Sequence, residues 1–180
     1  MYIQREVPEP FIKNLEKIRR MSSVLATMQR TGRLPPEEVF ASSHVLTRAY
    51  RKIFPAFNVC DGIVTRLGLP NCNREYGEAG YFYYHEGRSR PAITGQLKLI
   101  PHSILVFKEP NGNMPKLAID VLPLGQVKNW SLAAPIFLDE HSQPFFEQPL
   151  PENDAKDFAT KARIMKEVFQ EIKKEADELS

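Results

Sequence analysis

Hydrophobic residues in the first part of the chain recur at helical spacing. Starting at residue 10 they fall three, four or seven positions apart, which predicts an amphipathic helix that ends near Gly32. The apolar stripe of this helix consists of Phe11, Leu15, Ile18, Leu25 and Met28. Pro35 supplies the chemistry of a helix start, so a second helix is predicted from there to Pro55. Residues 59–67 fit a third, shorter helix, although their apolar positions are too few to fix a period.

The periodicity changes after Gly77, beyond a stretch that is rich in turn residues. Strand-length segments follow at regular spacing, which is typical of an antiparallel sheet curled into a sandwich or a small barrel. The segments are 79–85, 93–100, 103–108, 116–122, 126–131, 134–139 and 143–148. Asn111-Gly112 is the strongest hairpin signal, because these residues tolerate the positive φ of a tight turn.

A last amphipathic helix is predicted to begin where Asn153 or Asp154 can cap it. Its apolar stripe is formed by Phe158, Ala162, Met165, Phe169, Ile172, Ala176 and Leu179. This stripe needs a partner surface, either the sheet or a helix of another subunit. The sequence therefore predicts one α+β domain over residues 1–180, with N-terminal helices in 1–68. Residues 78–180 are predicted to form a central antiparallel curled sheet or small barrel of about seven strands and a long C-terminal amphipathic helix.

The element order of the second half resembles a known superfold. The segments that carry the likeness are Thr94-Gly-Gln-Leu-Lys-Leu-Ile-Pro-His-Ser-Ile-Leu-Val-Phe107, then 119–127, 137–146 and 154–171. Over residues 78–178 this order is similar to that of pleckstrin-homology domains and their GRAM relatives. The resemblance implies a module that binds proteins or lipid headgroups and carries out no chemistry. The chain departs from the family by placing Trp130 in a strand segment, and only Arg88, Arg90 and Lys98 match the basic residues of the phosphoinositide binders.

Composition is that of an ordinary globular protein, with 42% hydrophobic and 26% charged residues and a net charge of +2. All arginines except Arg163 lie at or before residue 90. Arginine suits bidentate contacts with phosphate or carboxylate, so the first half, including Arg19 and Arg20, is a candidate for an anionic partner such as nucleic acid or a phosphoinositide. The alternative is a solvated arginine-rich face that pairs with acids of the same fold.

The N-terminus lacks the apolar run of a secretory signal, and nowhere do about eighteen apolar residues follow one another. We therefore expect a cytoplasmic protein without a transmembrane segment. Only two cysteines occur, Cys60 and Cys72, and a reducing compartment would leave both as free thiols.

An aromatic segment runs into arginines at residues 81–90. Tyr81 and Tyr83 would point to one side of a strand, and Phe82 and Tyr84 to the other. One side must be core, and the other can stack on bases, on a peptide or on another subunit. The candidate binding residues of the chain are therefore Tyr81, Tyr83, Tyr84, Arg88, Arg90, Arg19, Arg20 and Lys98.

Motifs of common catalysis are missing from the sequence: it has no phosphate loop, no dinucleotide fingerprint, no nucleophile elbow and no paired-histidine zinc helix. Cys60 would act as a nucleophile only if His44 or His85 approached it, and the cysteines and His102 lack the close pairs of zinc sites. We expect no cofactor and no metal. The leading hypothesis is a non-enzymatic protein-interaction or assembly module that binds a protein partner or self-associates. The alternative is binding of nucleic acid or phospholipid headgroups through the arginine-rich half.

Overall fold

A computed structural model describes residues 7–33, 42–66, 81–83, 98–113, 115–121, 133–138 and 150–178. The helices are α1 (Glu9–Arg30), α2 (Ser43–Ile53), α3 (Glu152–Ile164) and α4 (Lys166–Glu178). The strands are β1 (Phe57–Arg66), β2 (Tyr81–Tyr83), β3 (Lys98–Phe107), β4 (Leu117–Asp120) and β5 (Ala134–Phe137). The predicted α+β class with an antiparallel sheet is confirmed, with five strands in the described ranges where the sequence predicted about seven in the whole chain.

The sheet has the strand order β2-β1-β3-β4-β5, and every neighbouring pair is antiparallel. The β1–β3 ladder is the longest, from Phe57 opposite Phe107 to Arg66 opposite Lys98. The connection from β3 to β4 turns at Gly112, whose φ of +68° only glycine adopts without strain. The hairpin predicted at Asn111-Gly112 is therefore confirmed.

One face of the sheet packs against the helices. The odd-numbered residues of β1, β3 and β4 point to this face, which we call the helix face. Phe11 of α1 meets Phe57 and Phe107 there, with ring centroids 5.4 to 6.2 Å apart within this trio. Burial of each such ring contributes roughly 1.5–3 kcal/mol. The stripe predicted for α1 is buried throughout, and Gly32 ends the helix with a φ of +69°.

The opposite face of the sheet, the second face, is also buried over β3, β4 and β5. Ile104, Val106 and Ile136 lie there. So do His102 and Asp120, which are fully buried and joined by a hydrogen bond of 2.7 Å between Nε2 and Oδ2. Burial lowers the pKa of His102 to about 3, so the ring is neutral near pH 7. At the β1 margin of this face Asn58 is exposed and Cys60 is half-buried.

The predicted C-terminal stripe is buried from Ala162 to Ala176, whereas Phe158 is half-buried and Leu179 lies outside the described residues; the stripe lies on two helices where the sequence predicted one. The described part of the stripe that is fully buried consists of Ala162, Met165, Phe169, Ile172 and Ala176. The helix breaks at Met165, whose φ and ψ of −79° and −2° form a turn. The break lets α3 pack on α2 while α4 packs on α1. Arg33, after α1, ties α4 to this layer through Glu171 and Glu175 at 2.9 and 3.0 Å.

Two predicted boundaries are wrong. The short helix expected at 59–67 is instead strand β1 through Arg66, so the N-terminal part of the chain contributes to the sheet. The predicted strands 93–100 and 103–108 meet in β3, which continues through Pro101. In an antiparallel pair only every second residue exchanges backbone hydrogen bonds with the facing strand. The bond from Lys108 N to Ala56 O shows that in the β1–β3 ladder these are the even-numbered residues. Pro101 therefore removes no bond to β1. The segments 126–131 and 143–148 and the helix start at Pro35 lie outside the described residues.

Candidate functional site

Four polar side chains meet where α2 crosses the helix face. His44 and Arg48 lie one turn apart on α2, and Asp61 of β1 is paired directly across the ladder with Ser103 of β3. We call these four residues the α2–sheet cluster. The side chains of Arg48 and Asp61 are 13% and 17% exposed, and Ser103 is fully buried. The cluster is therefore a candidate for chemistry, since it combines the residue types of a hydrolase triad in a mostly buried position.

The carboxylate of Asp61 is the centre of this cluster. Arg48 donates to both of its oxygens, at 3.0 and 2.8 Å, and the hydroxyl of Ser103 donates to Oδ1. Burial acts to raise the pKa of Asp61, but the nearby His44 ring, the hydrogen bonds from Arg48 and Ser103 and the charge of Arg48 outweigh it and lower the pKa well below its ordinary value. Asp61 is thus ionised near neutral pH and has a fixed counter-ion.

The direction of the hydrogen bonds in the α2–sheet cluster does not activate Ser103 as a nucleophile. The single proton of the Ser103 hydroxyl is donated to Asp61, so Nδ1 of His44, 2.5 Å away, must donate its own proton to the serine oxygen. A catalytic histidine accepts the serine proton and is itself oriented by the carboxylate. Here the serine stands between the other two groups. Phe158 of α3 also stacks on the His44 ring at a centroid distance of 4.6 Å. The arrangement is that of a packed polar contact between α2, α3 and the sheet.

The outer edge of β1 presents backbone groups instead of side chains. Because even-numbered residues of β1 bond to β3, the N–H and C=O groups of Val59 and Asp61 point away from β3. Strand β2 covers β1 only from Val64 to Arg66. Among the described residues, no strand pairs with the outer side of residues 57–63, which we call the open edge; the residues that follow Tyr83 in the register of β2 lie outside the described ranges. Sγ of Cys60, a half-buried residue, lies 3.8 Å from the carbonyl oxygen of Asp61.

In the described part of the sheet, the outer side of β5 at the opposite edge carries two features that block strand addition. Leu138 N bonds to Lys116 O, so the odd-numbered residues of β5 point outward. Pro135 has no N–H to offer at that edge. The neighbouring outward carbonyl, that of Ala133, accepts a 3.0 Å hydrogen bond from Nε of Arg19. Residues 57–63 carry neither proline nor lysine, and their one charge is neutralised by Arg48. The two edges therefore differ in the protection that strand edges usually carry.

Of the candidate residues chosen from the sequence, Arg19 and Arg20 lie on α1 beside the core. Arg19 is committed to the carbonyl of Ala133. Nε of Arg20 is buried and has no hydrogen-bond partner in the described part of the chain. Arg33 and Arg48 are both paired with acids of the same fold. These pairs match the alternative reading of the arginine-rich half, in which the charges serve the fold.

The structure describes only some of the remaining candidate residues. The backbone of Tyr81 and Tyr83 forms β2 at the outside of the sheet, next to the open edge, and Lys98 begins β3. Tyr84, Arg88 and Arg90 lie outside the described residues. The prediction that this aromatic and basic set forms a binding surface stays a prediction.

Cys60 is not placed to act as a nucleophile with His44. The two side chains lie on opposite faces of β1, since His44 contacts its neighbour Asp61 on the helix face. Burial, with a smaller contribution from Asp61, raises the pKa of the Cys60 thiol to about 12. The thiolate is therefore rare near pH 7. No group of three potential metal ligands occurs among the residues that are described.

Sequence reasoning missed both the α2–sheet cluster and the open edge. The spacing of His44 and Arg48 on one helix face was the available signal for the first. The second depended on recognising β1 as a strand, which its short apolar run did not allow.

Comparison with known proteins gives no relative from which a function can be transferred: no family model, curated protein or solved structure matches the chain. In the described ranges, no helix is both long enough and apolar enough to cross a bilayer.

Proposed function

We propose that the chain is a non-enzymatic protein-interaction or assembly module that accepts an extended strand at the open edge of β1. The observation that carries the proposal is the row of outward backbone groups at Val59 and Asp61. An extended peptide satisfies such groups by adding a strand to the sheet, and the main-chain hydrogen bonds supply much of the affinity.

The rigid setting of β1 supports this function. Its inner side is held by the full ladder to β3, and its helix face is fixed by Phe57 in the aromatic core and by the Arg48–Asp61 pair. A binding edge that is already ordered costs little conformational entropy when the partner arrives. The pleckstrin-homology-like order of elements, a sheet followed by C-terminal helices, agrees with a binding module, as does the sheet position of Tyr81 and Tyr83 beside this edge.

Binding of nucleic acid or a phospholipid headgroup is the weaker alternative. It requires free arginines, and Arg19, Arg33 and Arg48 are each engaged within the fold. A steep loss of affinity with salt would identify it.

The test is selection of extended peptides from a random library on the immobilised protein, followed by amide hydrogen exchange. We expect selected peptides to protect the amides of Val59 and Asp61 and to bind Val59→Pro at least about tenfold more weakly, because the proline removes an outward donor and no bond to β3. Asn58→Ala is the matched control and should bind as the wild type does, since it changes only an exposed side chain.

Circular dichroism checks whether Val59→Pro is folded, and hydrogen exchange on the wild-type protein does not depend on that variant. Failure to select any peptide would count against the function. So would peptides that bind Val59→Pro as tightly as the wild type, or that protect only residues outside β1.

A further inference from the structure

Helix α3 makes its polar side-chain contacts within itself. Lys156 pairs with Glu152 and Lys161 pairs with Asp157, each at 2.9 Å and one turn apart. Pairs at this spacing stabilise a helix without help from its surroundings. In the described part of the chain, the side-chain hydrogen bonds of α3 also begin and end in α3, and no ion pair joins it to another element. These contacts would therefore be kept if α3 left the surface on which it packs.

The apolar anchor of α3 is small in comparison with that of α4. Within α3 only Ala162 is fully buried, and Phe158 is half-buried. In α4 three residues are fully buried, among them the large side chains of Phe169 and Ile172. α3 packs on α2, whereas α4 packs on α1 as well as on α2. Segments with few buried apolar contacts open at a lower free energy than the core does.

The junction between α3 and α4 has the features of a hinge. Met165 interrupts the helix with φ and ψ of −79° and −2°, and its side chain is buried in the core. Ile164 beside it is 69% exposed, so its side chain does not fasten the end of α3. Residues at the ends of elements absorb the dihedral changes of a hinge motion. Rotation at residues 164–165 would carry α3 away while Met165 and α4 stay on the core.

Like charges of α2 and α3 lie near this hinge. Burial, followed by the charges of Arg163 and Lys166, lowers the pKa of Lys52 in the last turn of α2. Among the residues that the structure describes, no ion pair between α2 and α3 offsets this repulsion. The charges at this end of the interface therefore favour separation of the two helices.

The side chain that α3 places on α2 covers part of the α2–sheet cluster. The ring of Phe158 stacks on His44 with a centroid distance of 4.6 Å and an interplanar angle of 19°. The guanidinium of Arg48 lies 5.9 Å from the centroid of the same ring. His44 and Arg48 are each only 13% exposed in this arrangement. Removal of α3 would open both side chains to solvent.

We infer that α3 is a hinged cover, which opens as a unit at Met165 and exposes His44 and Arg48 while α4 stays in place. The device combines a helix that carries its own polar contacts, a small apolar anchor and a junction that is packed on one side only. The inference does not depend on how the edge of β1 is used, so the two can fail separately.

The first experiment is native-state amide hydrogen exchange on the full chain. We expect the slowest amides of α3 to exchange at least about tenfold faster than the slowest amides of α4, and to share one rate of opening. Fraying from Glu152 would instead give opening that becomes steadily rarer along the helix.

Two variants distinguish opening of the cover from unfolding of the whole chain. Phe158→Ala removes the anchor that is lost on opening, so it should speed exchange in α3 by at least about tenfold. Gly112→Ala is the matched control, since its strained turn is present whether the cover is closed or open. It should speed the slowest amides of α4 by about five- to thirtyfold through global unfolding and leave those of α3 unchanged.

Modification of histidines by diethyl pyrocarbonate, mapped by mass spectrometry, tests the uncovering of His44 directly. His102 is fully buried on the second face and reports global unfolding in the same molecule. His44 should react at least about tenfold faster than His102 in the wild type. Its rate should rise further in Phe158→Ala and stay unchanged in Gly112→Ala.

Each outcome decides the inference, and the wild-type measurements do not depend on any variant. Equal exchange in α3 and α4, or a steady gradient along α3, overturns the hinged cover. So does Gly112→Ala if it speeds α3 as much as α4. If His44 reacts no faster than His102, opening does not reach the α2–sheet cluster and the inference is wrong.

Discussion

Replacing Arg48 with alanine would leave the carboxylate of Asp61 without its counter-ion. The substitution removes two charge-assisted hydrogen bonds, of 3.0 and 2.8 Å, from a carboxylate that is 17% exposed. It also removes the guanidinium that lies 5.9 Å from the ring centroid of Phe158. Breaking a buried pair by deleting one partner costs about 3–5 kcal/mol, and the remaining exposure places Arg48→Ala near the lower end, at about 3 kcal/mol of unfolding free energy.

Urea denaturation measures this loss, with an unchanged m-value to show that the folded state keeps its compactness. Lys156→Ala is the matched control, because Lys156 forms an ion pair of similar length, 2.9 Å, with Glu152 while both side chains are more than 70% exposed. It should cost less than about 0.5 kcal/mol.

A second substitution separates charge from packing. If the unpaired charge of Asp61 causes the loss, adding Asp61→Asn to Arg48→Ala should restore at least about 1 kcal/mol. A loss below about 1 kcal/mol in the single variant, or no recovery in the double variant, would refute the role assigned to this pair.

Three further predictions concern acid stability, the turn after β3 and the C-terminal core. The pKa of Asp61 is lower in the folded than in the unfolded chain, so the stabilising effect of its charge is present above about pH 4 and is lost as the pH falls further. The difference in urea stability between the wild type and Asp61→Asn should therefore shrink on acidification. A difference that stayed constant would contradict this. Gly112→Ala should cost about 1–2 kcal/mol in thermal denaturation, through backbone strain alone since its Cβ would meet no atom within 4 Å, and Gly112→Asn should cost less. Phe169→Ala should lower the unfolding free energy by about 3–5 kcal/mol in urea denaturation, because Phe169 is fully buried. Ile164 is 69% exposed, so Ile164→Ala should change stability by less than about 0.5 kcal/mol. Similar losses in the two variants would refute the burial assigned to α4.

Local signals explain which elements the sequence predicts correctly. The stripe of α1, its end at Gly32 and the turn at Gly112 depend on residues close together in the chain, so periodicity and backbone freedom are enough to find them. The stripe of α3 and α4 is equally local. Its break at Met165 is not, because it follows from packing against two different helices, α2 and α1, which the chain brings together only in three dimensions.

Non-local partners explain what the sequence conceals. The helix-face residues of β1 begin Phe57, Val59, Asp61, and the charge interrupts the apolar alternation that marks a strand. Asp61 is tolerated there because Arg48 and Ser103 satisfy it from α2 and β3. The spacing of Asp61, Arg48 and Ser103 along the chain does not indicate that their side chains meet. The open edge is hidden for the same reason, since it is defined by the register of β1 and not by any side chain.

The bond from Ser103 to Asp61 also bears on how the sheet chooses its alignment while it forms. A slip of β1 by one residue would turn the aspartate away from α2 and toward the side that holds Ile104 and Val106. On that side the carboxylate would lose the hydrogen bonds and the charge of Arg48 and the bond from Ser103, and this loss disfavours the slipped arrangement. Asp61 therefore helps to specify the register of the β1–β3 pair: it is compatible with the observed pairing and destabilises a pairing shifted by one residue.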